Sequence, residues 1–530
     1  MNQPRPAALA TLALALLAGL APASDRPGSG LYPVRSDARP VMLDGSVDEW
    51  PEGVVAMADE SFVYIRFRVD GPPRAIQSAD ETLTILLDLD GNAATGLQLP
   101  EPAAAAELGA DLRIRLSPRG RDGLRGGVEV HVFSADGRET RISHADAGFI
   151  VAPTHAALPN ERGEPGWYEA RIARSALNLR GPTARAERAA QRDRERASRG
   201  ALPDTASQGQ PLDITPGGTP PLAWGAGVIL SKDEQGELLG WSDPFAFRMP
   251  APAEPALSDL VAPPKAVNAV RVLSYNVERA APNNNPAPFA RVITALQPDI
   301  ILVQEWDGAS DSDLVSWMQR HVGGEWHAVS APDRGVAIIT RFSVVRSVTE
   351  PVYAEEHVTQ RPVRSVTALL QTPIRDTVVT SVHFKCCGGY MGPEDHTRVA
   401  EAVALNTMIG SLPRRFETTR IIGGDLNLVG STAPLITLAQ GLDLDGSELS
   451  VAAAEVLGDA TQHTWARARS SFSPGRLDYI LYSDSNARVS AAFTLDTSVL
   501  SDTALQTMGL HRTDSEASDH LPMVVDYVAY

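Results

Sequence analysis

Six apolar runs in the second half of this chain each deliver a residue able to carry charge or to coordinate a cation. "VRVLSYNVE" brings Asn276 and then Glu278, and "PDIILVQEWDG" closes on Glu305. "DTVVTSVHFK" ends on His383 and Lys385, and "TRIIGGDLNL" on Asp425 and Asn427. "GRLDYILYS" sets Asp478 amid apolar residues, and "ASDHLPMVVDY" leads with Asp519 and His520. Runs of this composition read as core strands, and packing alone does not explain why core strands should finish in carboxylates, which are costly to bury. Carboxylates beside histidines suit metal-assisted hydrolysis of a phosphate ester. Magnesium takes oxygen ligands, commonly one or two carboxylates plus water and substrate phosphate, so Glu305 and Asp519 are enough to hold it when phosphate arrives. The reaction also needs charge neutralised on the phosphoryl oxygens, an aligned water and a stabilised leaving oxygen. Histidine suits the proton step, with an ordinary pKa of about 6.5 that a carboxylate such as Asp478 can tune.

In this order, over 268–530, the motifs resemble the endonuclease/exonuclease/phosphatase superfamily, which includes deoxyribonuclease-like nucleases, abasic-site endonucleases, inositol phosphatases and sphingomyelinases. The resemblance implies an α/β four-layer sandwich, two packed β-sheets flanked by helices with the site at one edge, and a phosphoester hydrolase that uses Mg2+ or Mn2+. Residue by residue, Asn276 and Glu305 match metal-holding positions, with Asp519 in the same set and Glu278 as an extra acid that reaches the metal through water. Asp425 and Asn427 match the pair that positions the attacking water. His520 matches a general base or phosphate ligand, Asp478 the acid that orients a site histidine, and His383 a histidine near the scissile phosphate. "IIGGDLNLVG" and "FSPGRLDYIL" lack the inositol phosphatase signatures. The expected substrate is a phosphodiester, either nucleic acid or a lipid head group as in sphingomyelinases. A catalytically inactive secreted binding protein is the reading of another class, and no metal or base residue is missing to support it.

Lysine occurs only at 232, 265 and 385, and cysteine only at 386 and 387. His383 and Lys385 are two apart at the end of a strand and therefore share a face, which makes Lys385 a candidate phosphate ligand. Two cysteines without further thiols do not make a tetrahedral zinc site. A vicinal disulfide between Cys386 and Cys387, free thiols and a bridge to another chain all remain. The first is favoured as a brace for the loop, although adjacent Cα atoms about 3.8 Å apart would strain it.

The elements that position these groups fall in two halves. Arg5 precedes the apolar run Ala7–Leu20 and then Ala21-Pro22-Ala23, the pattern of a cleaved signal peptide over 1–23; the expected location is secreted or periplasmic, with no transmembrane anchor. A Pro/Ala-rich segment at 251–267 reads as an extended linker. Before it, alternation at Val63, Ile65, Phe67 and Val69, at Leu112, Ile114 and Leu116, and at Val128, Val130 and Val132 predicts an all-β sandwich over 24–250. A charged, then Gly/Pro/Ser-rich insertion interrupts it at about 181–221. "LDGSVDEWPE", "LLDLDGNAATG", "LGADLRI" and "GWYEARIARSAL" resemble family 9 carbohydrate-binding modules, which implies a carbohydrate or cell-envelope ligand. Asp88, Asp90 and Asn92 have a spacing that suits Ca2+, and an ordinary Asp-Gly turn is the equal alternative. Trp50 reads as a core residue. The net charge of −18 argues against a general nucleic-acid coat protein, yet leaves room for a site in which a metal neutralises one phosphate.

Overall fold

The computed structural model describes residues 40–69, 74–106, 108–120, 123–124, 126–156, 166–179, 223–355, 358, 360–412 and 418–530. The expected signal peptide and the whole insertion at 181–221 lie outside these residues.

The N-terminal half is a β-sandwich. One sheet runs Ala56–Ala58, Phe62–Arg68, Trp167–Ala173, Ile150–Ala152. The other runs Leu238–Trp241, Ala223–Lys232, Thr82–Asp88, Leu112–Leu116, Val128–Phe133, Glu139–Ile142, with Phe245–Met249 also on Ala223–Lys232. Strand geometry sends alternate side chains to opposite faces, and the alternation does its expected work: Val63, Ile65 and Phe67 meet Leu112, Ile114, Leu116, Val128, Val130 and Val132 in one buried cluster. Trp50 is buried, its indole donating to Glu169 Oε1 at 2.6 Å. Around the Asp-Gly turn, Asp88 Oδ1 accepts from Gly91 N at 2.7 Å. The carboxylates of Asp88, Asp90 and Asp111 come within 4.8 Å of one another. Asn92 Oδ1 accepts from Ala94 N at 3.2 Å within the same turn. The stretch after Met249 is docked rather than free, since Ser258 N donates to Val499 O and Ser501 N to Ser258 O.

The C-terminal half has four layers. Its first sheet runs His327–Ala331, Val336–Thr340, Ile300–Gln304, Val270–Asn276, Met523–Ala529, Ala487–Thr494, Glu455–Val456. Its second runs Val344–Val348, Pro362–Gln371, Asp376–His383, Thr419–Asp425, Asp478–Tyr482, Ser450–Val451, with Val352–Tyr353 on Pro362–Gln371. The sheets face each other across Val272, Ile300, Leu302, Val379, Ile421, Ile480 and Val525. Helices Pro286–Leu296 and Asp311–His321 cover the outer side of the first sheet, and Pro393–Ser411 and Ala433–Ala439 that of the second. Strands buried on both faces are apolar throughout, so polar residues are tolerated only at their ends.

Register fixes which ends meet. In the second sheet His383 pairs with Asp425 in parallel, and Asp425 with Asp478 antiparallel, so three strands present these residues in one row. In the first sheet Asn276 stands beside Gln304, one residue before Glu305. Gly424 allows the close approach: it has φ +147°, and a Cβ there would lie 1.9 Å from Val382 O.

Candidate active site

Asp425 is the centre of the row. Its Oδ2 accepts from Asn276 Nδ2 at 3.1 Å and lies 3.3 Å from His383 Nε2 and 3.6 Å from His520 Nε2. Its Oδ1 accepts from Asn427 N at 2.9 Å, and Asn427 Nδ2 donates to Phe384 O at 3.1 Å. Asp478 Oδ2 holds His520 Nδ1 at 2.8 Å, and Asp478 is itself placed by its backbone N–H donating to Thr464 Oγ1. From the opposite sheet Asn276 Nδ2 also reaches Glu305 Oε1 at 3.2 Å, and Glu305 Oε2 accepts from Arg279 N at 3.1 Å. The backbone is strained here in a consistent way: Glu278, Arg279, Ala280, Glu305 and Asn427 all have φ between 44° and 60°. Left-handed non-glycine residues are costly and gather where a side chain must be aimed.

The electrostatics separate the two histidines. Burial, Arg364 and His520 hold His383 well below the ordinary histidine value, so it is neutral. Burial also opposes charge on His520, but Asp478 and Asp425 outweigh it and push its pKa up to about 10. Asp425 is pushed up to about 7 by burial; His520 lowers it and Asp478 raises it. A carboxyl titrating near neutrality beside an imidazolium is a group poised to take a proton next to one poised to give one.

Five of the sequence candidates, Asn276, Glu305, His383, Asp425 and His520, lie around one point, with Asn427 and Asp478 directly behind. The expected metal set does not gather as a unit. At this site the acids and histidine that come within 4.8 Å of one another are Asp425, Asp478 and His520. Glu305 sits with Asn276, while Asp519 Oδ2 accepts from the Trp465 indole at 3.2 Å and lies 3.4 Å from Arg467 Nη1. Glu278 Oε1 is 3.6 Å from Arg467 Nη2. Glu278 and Asp519 thus share Arg467, while Glu305 faces Asn276 and Arg279 N. The donor chemistry nevertheless fits a hard divalent ion: Glu278, Glu305 and Asp519 are the partly exposed carboxylates, with side chains 30 %, 25 % and 18 % exposed, and oxygen donors with room for water suit magnesium or manganese.

Lys385 does not join the cluster. The strand stops at His383, so the shared-face argument fails, and Lys385 Nζ turns back to Cys386 O at 3.2 Å. The Sγ atoms of Cys386 and Cys387 lie 2.8 Å apart, beyond the S–S bond length of about 2.05 Å. Cys387 instead takes φ 70°, and Arg398, paired with Asp395, caps the carbonyls of Lys385 and Cys387. His396 and His511 are exposed, whereas His463 is buried against Thr461 and Asp496. Trp465 and Arg467 were not found by sequence reasoning; "HTWARA" lies in a loop where no apolar periodicity draws attention to it.

Residues 273–520 match the model of the Endonuclease/Exonuclease/phosphatase family. Solved structures similar to the chain include the human Nocturnin catalytic domain with bound sulfate, 19% identical, covering 50% of this chain and 97% of that one at a TM-score of 0.33. A Bacteroides thetaiotaomicron mannosyl-6-phosphatase is 18% identical, covering 49% and 99% at 0.34. Sphingomyelinase C from Streptomyces griseocarneus is 16% identical, covering 49% and 99% at 0.32. No curated protein matches the chain in sequence.

Proposed function

We propose that the protein is an exported, divalent-metal-dependent phosphodiesterase, a reading supported by the match of residues 273–520 to the Endonuclease/Exonuclease/phosphatase family, whose members hydrolyse phosphoester bonds. The observation that carries the reading is the convergence of Asn276, His383 and His520 on Asp425, within 3.1 to 3.6 Å, at the joint end of two sheets. Asn276, Glu305 and Asp519 would hold Mg2+ or Mn2+, with Glu278 reaching it through water. The ion, when bound, supplies charge neutralisation on the phosphoryl oxygens.

The chain's own residues supply the rest. Asp425, fixed by Asn427 N–H, orients the attacking water and takes its proton, which its upward-shifted pKa suits at neutral pH. As the new P–O bond forms and the bond to the leaving oxygen breaks, His520, charged through Asp478, donates to the leaving oxygen. Neutral His383 offers a hydrogen bond to the phosphoryl group. Export rests on the apolar run at 7–20 and the small residues after it. Acids outnumber bases over 268–530, which disfavours a long cationic nucleic-acid groove.

The test is hydrolysis of bis(p-nitrophenyl) phosphate with and without magnesium by wild type, Glu305→Ala and His520→Ala. Metal-dependent turnover lost in both variants is expected; an inactive wild type across metals and substrates, or variants at full rate, sinks the assignment. A panel of DNA, RNA, sphingomyelin and phosphoinositides then identifies the ester.

A further inference from the structure

Arg467 is a cation at the rim of the site to which the roles above give no task. Arg467 stands 3.4 Å from Asp519 and 3.6 Å from Glu278, and its side chain is 54 % exposed. Arg467 Nη1 donates to Asp519 Oδ2 at 3.4 Å, longer than the roughly 2.7–2.9 Å of a strong charge-assisted bond, so the guanidinium holds these acids loosely. A planar fork of five donors is matched to a phosphate's oxygens.

The loop that carries Arg467 is held at both ends. At its neck Trp465 and Gly475 exchange backbone hydrogen bonds, and Ala466 N donates to Asp519 O, tying the loop to the catalytic edge. Its far side is held by the N-terminal sandwich. Val128 N donates to Ser471 O at 2.7 Å. Gln77 Oε1 accepts from Ser473 N and Thr154 Oγ1 from Arg476 N, both at 2.9 Å. Gly127 lies so close that a Cβ there would come within 2.2 Å of Ser471 O. A loop needs fixed backbone contacts to hold one conformation against its own entropy, and here they come from another sandwich, more than 300 residues earlier in the chain.

We propose that Arg467 binds the substrate's phosphate, and that the N-terminal sandwich is the device that positions it. The sandwich is on this account a wall of the active site in addition to whatever it binds elsewhere. The inference rests on the phosphodiesterase reading.

Three variants test it: Arg467→Ala, Arg467→Lys, and Gln77→Ala combined with Thr154→Val. Arg467→Ala should raise KM for bis(p-nitrophenyl) phosphate and Ki for inorganic phosphate at least tenfold, with a smaller effect on kcat, and Arg467→Lys should recover part of the loss. The Gln77→Ala/Thr154→Val pair should speed amide hydrogen exchange across 470–476 in chelator, a readout that needs no turnover. It should also raise KM severalfold in the wild-type background and not in the Arg467→Ala background. If wild type hydrolyses no phosphodiester, the hydrolase reading falls and this inference with it. If wild type is active and Glu305→Ala is not, then unchanged KM and Ki in Arg467→Ala overturn the phosphate ligand alone. Unchanged exchange, or an equal KM effect of the pair in both backgrounds, overturns the positioning role.

Discussion

Asp478→Asn isolates the pair on which the proton chemistry depends. In the native protein the nearer carboxylate holds His520 Nδ1 at 2.8 Å and Asp425 lies 3.6 Å from the other ring nitrogen; together they lift the ring from 6.5 to about 10 against burial. At about 1.4 kcal/mol per unit that rise is on the order of 5 kcal/mol of preference for the charged ring. Because the folded value is raised, this stability is fully present below the unfolded pKa of about 6.5 and is lost as pH climbs through about 10. Losing the nearer of two partners should cost about 3 kcal/mol at pH 6 and less above pH 10. The amide can still accept one hydrogen bond, so the ring stays in place while its charge is lost, and kcat should fall about 10²–10⁴-fold with little change in KM. Urea denaturation at pH 6 and pH 10.5, an NMR titration of the His520 ring and steady-state kinetics read the three effects. An unshifted ring pKa with kcat within twofold of wild type would refute the dyad.

Three further outcomes follow from contacts elsewhere. Arg171 and Asp459 form a bidentate pair between the two halves, with side chains 7 % and 5 % exposed; Arg171→Met alone should cost about 3–5 kcal/mol in urea unfolding, and adding Asp459→Leu should recover most of it, whereas additive losses would contradict the pairing. Glu169 is pushed up to about 8 by burial, with Asp44 adding and the Trp50 hydrogen bond opposing. Native protein then keeps a proton that the unfolded chain releases above about pH 4.5, so stability should decline between pH 5 and 8 and flatten above; Glu169→Gln should reduce that slope, and parallel curves would count against it. Gly424→Ala, whose Cβ would meet Val382 O at 1.9 Å, should lower stability by at least ~3 kcal/mol and displace Asp425; a wild-type melting temperature would show that the strands can part freely.

What the sequence made legible follows from how strands are built. A strand buried on both faces must be apolar, so its polar end is conspicuous, and Asn276, Glu305, His383, Asp425, Asp478 and His520 were found that way. Their mutual distances were not, because they depend on register: nothing local says that His383, Asp425 and Asp478 stand in one row. Lys385 failed because the same-face argument assumed two more residues of strand, and the chain turns at Cys387 instead. Asp111 was missed beside Asp88 and Asp90 since it arrives from the next strand rather than the same turn. Arg467 escaped for the opposite reason, being on a loop that takes its shape from residues of the other sandwich.

The most direct test of the account is the metal-titrated rate of bis(p-nitrophenyl) phosphate hydrolysis by wild type beside Asp425→Asn. The account predicts activity abolished by chelator, restored by Mg2+ or Mn2+, and lower by about 10³-fold or more in Asp425→Asn. Chelator-insensitive turnover, or a wild-type rate without the Asp425 carboxylate, would contradict it.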